Sequence, residues 1–139
     1  MADEIIDGLW VGDLDDVIEP EVYKKEFERV INVLNLIEPN DDGYVDEKIL
    51  NALADIINVA LDSGERVLVH CGAGIERSPL TVVYYLWKYK QYTLMDAYKL
   101  IERKRPIVQN RGCWLRVDVQ YSMETVREND NKTKKMPRL

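Results

Sequence analysis

The chain has 139 residues, of which 46% are hydrophobic and 32% are charged. These values are typical of one soluble globular domain and exclude a disordered chain. The net charge of −6 argues against a general nucleic-acid or anionic-membrane binder. No apolar run approaches the roughly 18 residues of a membrane span, and the first residues lack the layout of a signal peptide. The two cysteines are too few for a disulfide framework. We therefore expect a cytoplasmic protein that binds neither nucleic acid nor membrane.

The N-terminal third predicts a hairpin, a helix and a strand. Asp7-Gly8, a dipeptide favoured in tight turns, separates the short segments Glu4–Ile6 and Leu9–Val11. A proline then opens a charged segment that predicts a helix over Glu21–Arg29. Val30–Leu36 ("VINVLNL") is rich in apolar and β-branched residues and predicts a buried strand.

The middle of the chain continues this alternation. A loop rich in Pro, Asn, Asp and Gly precedes Asp46, which is the expected N-cap of a helix that ends near Gly64. Arg66–His70 predicts the next strand, and Ser78–Tyr92 predicts a mostly apolar, buried helix.

The C-terminal part predicts two more helices and no further strand. Thr93 begins a capping-box pattern for a helix that reaches about Arg105, and a last helix is expected over Arg111–Glu128. Residues 129–139 form a polar segment that we expect to fray. Strands separated by helices predict a single α/β domain, residues 1–128, with a central, mostly parallel twisted sheet flanked by helices.

The segment "VLVHCGAGIERSPL", residues 67–80, carries the clearest functional signal. Its small residues 72–74 allow the backbone to curl so that N–H groups converge, and the start of a helix follows. Arg77 adds a planar fork suited to two phosphate oxygens. Cys71 lies at the base of the loop, where positive potential favours a thiolate nucleophile. A lone cysteine after a strand is usually a small buried hydrophobe, but the whole arrangement favours a catalytic site.

The motif His70–Ser78 ("HCGAGIERS") resembles the signature of the cysteine-dependent protein tyrosine phosphatases. It is most similar to the small, compact, microbial-type dual-specificity branch. The segments Gly8–Gly12, Val30–Leu36 and Arg105-Pro106 with Asn110 resemble further elements of that family. The resemblance implies a dual-specificity-phosphatase-like fold and hydrolysis of phosphotyrosine, with phosphoserine and phosphothreonine left open. It also implies a phosphocysteine intermediate, a phosphorylated protein or peptide as partner, and neither a cofactor nor a metal.

The same resemblance implies a role for each residue of the loop. Cys71 attacks phosphorus, Ser78 donates to the sulfur and eases its departure, and His70 orders the loop from behind. The phosphate oxygens are held by the Arg77 side chain and by backbone N–H groups of six residues: Gly72, Ala73, Gly74, Ile75, Glu76 and Arg77.

A proton donor for the leaving group is also required. The resemblance implies an aspartate from the loop before the helix that leads to the catalytic strand, and this loop contains Asp41 and Asp42. In the family that the motif resembles, the acid lies shortly before the N-cap of this helix, and counting back from Val45-Asp46 on that basis implies Asp41. A glycine follows Asp42, so a turn already explains that residue. A shift of one position in the loop would exchange the two.

Several alternatives stay open at this point. Glu76 is either a solvated side chain or an acidic group at the rim of the pocket, where it would disfavour polyanions. Cys113 is either a core residue or a resolving thiol. Relatives that act on phosphoinositides or RNA 5′ ends usually carry extra Lys or Arg in the loop, and residues 72–76 contain none. A non-catalytic phosphopeptide-binding module normally lacks the cysteine or the arginine, and a rhodanese-like sulfurtransferase does not fit the Arg77-Ser78 ending. No oligomeric state is predicted.

Overall fold

The computed structural model of the protein describes residues 1–17 and 26–124. Within them the strands and helices in chain order are β1 (Asp3–Ile6), β2 (Leu9–Gly12), β3 (Arg29–Asn32), α1 (Glu47–Asp62), β4 (Val67–His70), α2 (Arg77–Lys90) and α3 (Leu94–Lys104). Residues 117–124 are helical as well. Short 3₁₀ turns lie at Leu14–Val17 and Gly112–Trp114. The polar segment expected to fray, residues 129–139, lies outside the described residues.

The strands that the structure describes form one four-stranded sheet in the order β1-β2-β4-β3. β1 and β2 are antiparallel, whereas β2 and β3 each pair with β4 in parallel. The last residues of the three parallel strands, Gly12, Asn32 and His70, lie side by side in the register. This architecture confirms the predicted α/β fold with a mostly parallel sheet. It also places Cys71 directly beyond the end of the central strand, where α/β proteins bind their ligands.

Helix α1 begins and ends at the residues that the sequence predicts. The Asp46 carboxylate accepts a hydrogen bond of 2.9 Å from the N–H of Lys48, as an N-cap does. Gly64, just beyond the helix, has a positive φ of 81° that favours glycine. The buried face consists of Leu50, Leu53, Ala54, Ile57 and Ala60. This apolar face packs α1 against α2.

Helix α2 is the central helix, because every residue from Ser78 to Leu86 is buried. It ends two residues before the predicted Tyr92, since Gln91 adopts a left-handed conformation with φ of 67°. The capping pattern of α3 is confirmed: the Thr93 hydroxyl accepts a hydrogen bond of 3.1 Å from the N–H of Asp96. Among the described residues, no helix has the length and apolarity to cross a membrane.

The predicted strand Val30–Leu36 is too long. β3 stops at Asn32, whose side-chain oxygen accepts a hydrogen bond of 2.9 Å from the N–H of Leu34. This bond turns the chain, because an Asn side chain competes with the partners that the backbone would find in a sheet. The helix predicted over Glu21–Arg29 lies mostly outside the described residues, and its expected last residue belongs to β3 instead.

The last predicted helix, Arg111–Glu128, begins later than expected. The structure has a 3₁₀ turn at Gly112–Trp114 and an extended Leu115, with ψ of 144°, before the chain becomes helical at residue 117. The segment that the sequence predicts as one helix therefore contains a 3₁₀ turn followed by a separate helix. The predicted end of this helix lies outside the described residues.

Candidate active site

The Cys71 sulfur lies where the central strand meets the start of α2. The side chain is buried, and its Sγ lies 3.3 Å from the Ser78 hydroxyl and accepts a hydrogen bond of 3.4 Å from the Ser78 N–H. Glu76, the residue before α2, forms no side-chain capping bond. The first N–H groups of the helix are therefore not capped by that side chain, and an anion can accept from them.

Hydrogen bonds determine the protonation state of Cys71. Burial alone raises the pKa of the thiol. The Ser78 hydroxyl and the N–H groups of Ser78, Gly74 and Arg77 oppose this effect, and together they bring the pKa below the ordinary range of a cysteine. The thiolate is therefore more accessible than in an ordinary cysteine, and the thiolate is the nucleophilic form of the side chain.

The loop between β4 and α2, residues 71–76, requires glycine at position 74. Gly74 has a positive φ of 69°, and a Cβ atom there would lie 2.6 Å from the carbonyl oxygen of Gly12. A side chain at this position would combine backbone strain with a steric clash. The loop is held to the neighbouring strand end by a further bond of 2.8 Å from the N–H of Leu14 to the carbonyl of Gly72.

Arg105 holds the outer side of the same loop. The residue is only 2% exposed, and its guanidinium donates to the carbonyl oxygens of Gly74 at 2.9 Å and Ala73 at 3.4 Å. It also forms an ion pair of 2.8 Å with Asp3. In a trans peptide the N–H group points away from the C=O group, so carbonyls turned outward leave N–H groups turned inward. The sequence predicted no such role, and the available signal was the Arg105-Pro106 pair.

Arg77 and Cys71 line the same pocket. This pocket has a volume of about 280 Å³ and is formed by Cys71, Ala73, Ile75, Glu76, Arg77 and Gln109. The Arg77 Nε donates to the carbonyl of Ile37 at 2.8 Å, and one Nη lies 3.8 Å from the Glu38 carboxylate. The carbonyl of Ile37 thus anchors one edge of the guanidinium beside the pocket.

The two candidate acids differ in their surroundings, and neither lines this pocket. The Asp42 carboxylate accepts from the N–H of Tyr44 at 3.1 Å and from Arg116 at 2.6 Å. The Tyr44 N–H above all, with the Arg116 guanidinium, holds the pKa of Asp42 below its usual range. Asp41 is exposed. With the residues that the structure describes, its carboxylate forms no hydrogen bond or ion pair.

Three other candidate residues are placed as follows. His70 is buried behind the loop, and its Nδ1 lies 3.4 Å from the carbonyl oxygen of Cys71. Glu76 pairs with Arg111 at the pocket rim, which supports the rim interpretation over a merely solvated side chain. A core role for Cys113 is wrong, because the 3₁₀ turn at Gly112–Trp114 leaves that cysteine exposed. Across residues 1–17 and 26–124, no group of three or more His, Cys, Asp or Glu is arranged to hold a metal ion.

Comparison with known proteins identifies the class to which this fold and site belong. Residues 9–122 match the family model described as "Dual specificity phosphatase, catalytic domain". The matched segment extends from β2 to the last described helix and includes the whole loop between β4 and α2. The chain therefore belongs to the dual specificity phosphatase catalytic domain family.

Individual relatives agree with this family. Human dual specificity protein phosphatase 26 is 32% identical over 136 residues, which cover 80% of this chain and 63% of that protein. A protein of Invertebrate iridescent virus 6, named as a tyrosine phosphatase, is 29% identical over 118 residues, which cover 76% of this chain and 80% of that one. The chain thus spans less than two thirds of the mammalian relative's length.

Solved structures show the same fold. The crystal structure of DUSP15 superposes with a TM-score of 0.73 at 18% identity and covers 99% of this chain and 98% of that chain. A leucine-rich-repeat and phosphatase-domain protein of Entamoeba histolytica gives a TM-score of 0.69 at 13% identity, with 98% and 96% covered.

Proposed function

We propose that the protein hydrolyses phosphotyrosine, together with phosphoserine and phosphothreonine, in phosphorylated proteins or peptides through a phosphocysteine intermediate. The observation that carries this proposal is the Cys71 sulfur, which has a lowered pKa and lies at a loop of N–H groups in the pocket shared with Arg77. A tetrahedral phosphoryl group is the ligand that such a loop and guanidinium suit best.

The reaction proceeds in two displacements. The Cys71 thiolate attacks phosphorus, the bond from phosphorus to the substrate oxygen breaks, and Asp41 gives its proton to that leaving oxygen. Water then attacks the phosphocysteine and gives a proton to the Asp41 carboxylate, and the sulfur–phosphorus bond breaks to release inorganic phosphate. In this second step the Ser78 hydroxyl stabilises the departing thiolate.

The phosphoryl oxygens need donors throughout both displacements. We assign this role to the Arg77 guanidinium and to the N–H groups of the loop: Gly72, Ala73, Gly74, Ile75, Glu76 and Arg77. The bonds from Arg105 to the carbonyls of Ala73 and Gly74 support the inward orientation of the N–H groups in the same peptide units, those of Gly74 and Ile75. Donors fixed before the reaction stabilise charge that develops on the oxygens without reorganising.

The charges around the pocket favour protein substrates over phosphoinositides or RNA 5′ ends. Among the described residues, each arginine near the site has an acidic neighbour: Arg77 has Glu38, Arg105 has Asp3, Arg111 has Glu76 and Arg116 has Asp42. Polyanionic substrates call for cations that no protein carboxylate already occupies. We also place the enzyme in the cytoplasm, because its nucleophile must stay reduced and two cysteines suit a reducing compartment.

The decisive experiment replaces the nucleophile. Cys71→Ser should reduce hydrolysis of p-nitrophenyl phosphate and of phosphotyrosine peptides by at least about a thousandfold, because a serine hydroxyl stays protonated in the same field. Circular dichroism and phosphate binding should remain close to those of the wild type. Activity that persists at a tenth of the wild-type level would overturn the cysteine mechanism.

A chelator control separates this chemistry from metal-dependent hydrolysis. We expect the wild-type rate to be unchanged by excess EDTA, since no step of the proposed mechanism uses a metal ion. Loss of activity that a divalent ion restores would contradict the proposal.

A further inference from the structure

An ion pair occupies the rim of the Cys71 pocket. Glu76 and Arg111 are each 32% exposed, and the Glu76 Oε2 accepts from the Arg111 Nε at 2.8 Å and from its Nη2 at 2.5 Å. The same Nη2 donates to the Gln109 side chain at 2.7 Å, and the guanidinium carbon lies 5.6 Å from the centre of the Trp114 ring.

These contacts leave Arg111 with little capacity for another anion. Glu76 and Gln109 both line the pocket, so the guanidinium that they bind lies at its edge. Two of its nitrogens already donate to the Glu76 carboxylate, and the pair carries no net charge. An acidic group next to the phosphoryl group of a substrate would therefore have to displace Glu76 to bind the Nε–Nη2 edge of Arg111, and the adjacent carboxylate would repel it from the rest of the guanidinium.

We propose that Glu76 is a specificity-determining residue, which prevents Arg111 from pairing with acidic groups that flank the substrate phosphate. The inference rests on the proposed function, since it concerns the substrate of that same pocket. With Glu76 in place, acidic residues beside the substrate phosphate do not increase the affinity of the site. Arg111 would otherwise bind them, and the Glu76 carboxylate prevents this.

The test measures binding in the Cys71→Ser background, so that no turnover is needed. The probes are two phosphotyrosine peptides of equal length, one with glutamates beside the phosphotyrosine and one with glutamines at those positions. The variants are Glu76→Gln, Arg111→Gln and the double variant. Glu65→Gln is the matched control, because Glu65 pairs with Arg29 beside the start of β4, whereas Cys71 follows its end.

We expect the two peptides to bind the parent protein with similar Kd values. Glu76→Gln should favour the glutamate peptide about fivefold at low ionic strength, because a freed guanidinium gains a carboxylate partner. The double variant should return the ratio to the parent value, and Glu65→Gln should leave it unchanged. Salt at 0.5 M should remove most of the Glu76→Gln preference, since it screens charges at the surface.

Any one of three results would overturn the inference. The first is that Glu76→Gln leaves the ratio of the two Kd values unchanged. The second is that the double variant keeps the preference for the glutamate peptide, and the third is that Glu65→Gln produces the same preference through net charge alone. Wild-type hydrolysis of p-nitrophenyl phosphate reports separately on the proposed function. A failure of catalysis is thus distinguishable from a failure of this specificity mechanism.

Discussion

At the scale of single residues, hydrogen-bond donors tune the Cys71 thiol. Burial opposes the thiolate, and the Ser78 hydroxyl is the largest of the opposing influences, ahead of the backbone N–H groups of Ser78, Gly74 and Arg77. The Ser78 side chain is fully buried, so water does not compete for its bond to the sulfur. Removal of the Ser78 hydroxyl should therefore change the titration of Cys71.

Ser78→Ala tests this dependence. Loss of the hydroxyl donor destabilises the thiolate, so the pKa of Cys71 should rise and less thiolate should be present at neutral pH. The midpoint of the pH profile for inactivation by iodoacetamide should therefore shift upward. Breakdown of the phosphocysteine should also slow, which a burst of p-nitrophenol would reveal. An unchanged midpoint would leave the backbone N–H groups as the sole stabilisers.

The aspartate loop presents a second choice between single residues. A general acid must hold a proton until the leaving group departs, and a carboxyl group with a lowered pKa holds it less well at neutral pH. Asp42 has such a lowered pKa, whose first cause is the Tyr44 N–H and whose second donor is Arg116. Asp42 is therefore the less suitable acid, and Asp41 stays the proposed one.

Replacement of each aspartate by asparagine distinguishes the two. Asp41→Asn should slow hydrolysis of a phosphotyrosine peptide about a hundredfold and that of p-nitrophenyl phosphate much less, because an activated leaving group needs no proton. It should also flatten the alkaline limb of the pH–rate profile, where the acid loses its proton. Asp42→Asn should do neither. If the phenotypes are exchanged, Asp42 is the acid.

At the scale of elements, the unit formed by β4, the loop and α2 has a shape that depends on one glycine. Gly72 and Gly74 lie two residues apart but differ in their surroundings. A Cβ at position 72 would make an ordinary contact of 3.6 Å with Leu34, whereas one at 74 would clash with the backbone of Gly12 and with Arg105.

Gly74→Ala should destabilise the fold by about 2 kcal/mol or more, since it combines a positive φ with a clash against backbone. Gly72→Ala is the matched control and should change the free energy of unfolding by less than about 1 kcal/mol. Urea denaturation of the two variants measures the difference. Equal midpoints would show that the loop relaxes without cost.

At the scale of the whole molecule, the described elements pack into one core around β4 and α2. Buried apolar residues from β2, α1, β4, α2 and α3 form one continuous cluster, which extends to Leu115, Val119 and Met123. The family match ends at residue 122, close to the last of these core residues. The boundary of the catalytic domain at residue 128 stays a prediction, because residues 125–128 lie beyond both the family match and the described residues.

Truncation tests that boundary. A chain ending at Glu128 should keep the kcat/KM of the full chain within about twofold, and its Tm within a few degrees, because the core cluster would be left whole. If the truncated protein unfolds or loses activity, residues 129–139 are part of the domain and the predicted boundary is wrong.

Local chemistry is what the sequence by itself determined. Some features depend only on residues that are close together in the sequence. They are the Cys71–Arg77 loop, the helix caps at Asp46 and Thr93, and the glycine of the hairpin turn. A short stretch of sequence is therefore enough to predict each of them. The alternation of strands and helices added the fold class. The apolar pattern did not predict the end of β3. Apolar residues continue past Asn32, but the Asn32 side chain bonds to the backbone and turns the chain there.

Only the tertiary structure decided which distant residues complete the site. Arg105 contacts Gly74 and Asp3 across 31 and 102 residues of chain, and Arg111 reaches Glu76 across 35. Asp42 meets Arg116 across 74 residues, which is why position alone did not separate it from Asp41. Such pairs follow no periodicity, because their partners are brought together by the packing of elements and not by spacing along the chain.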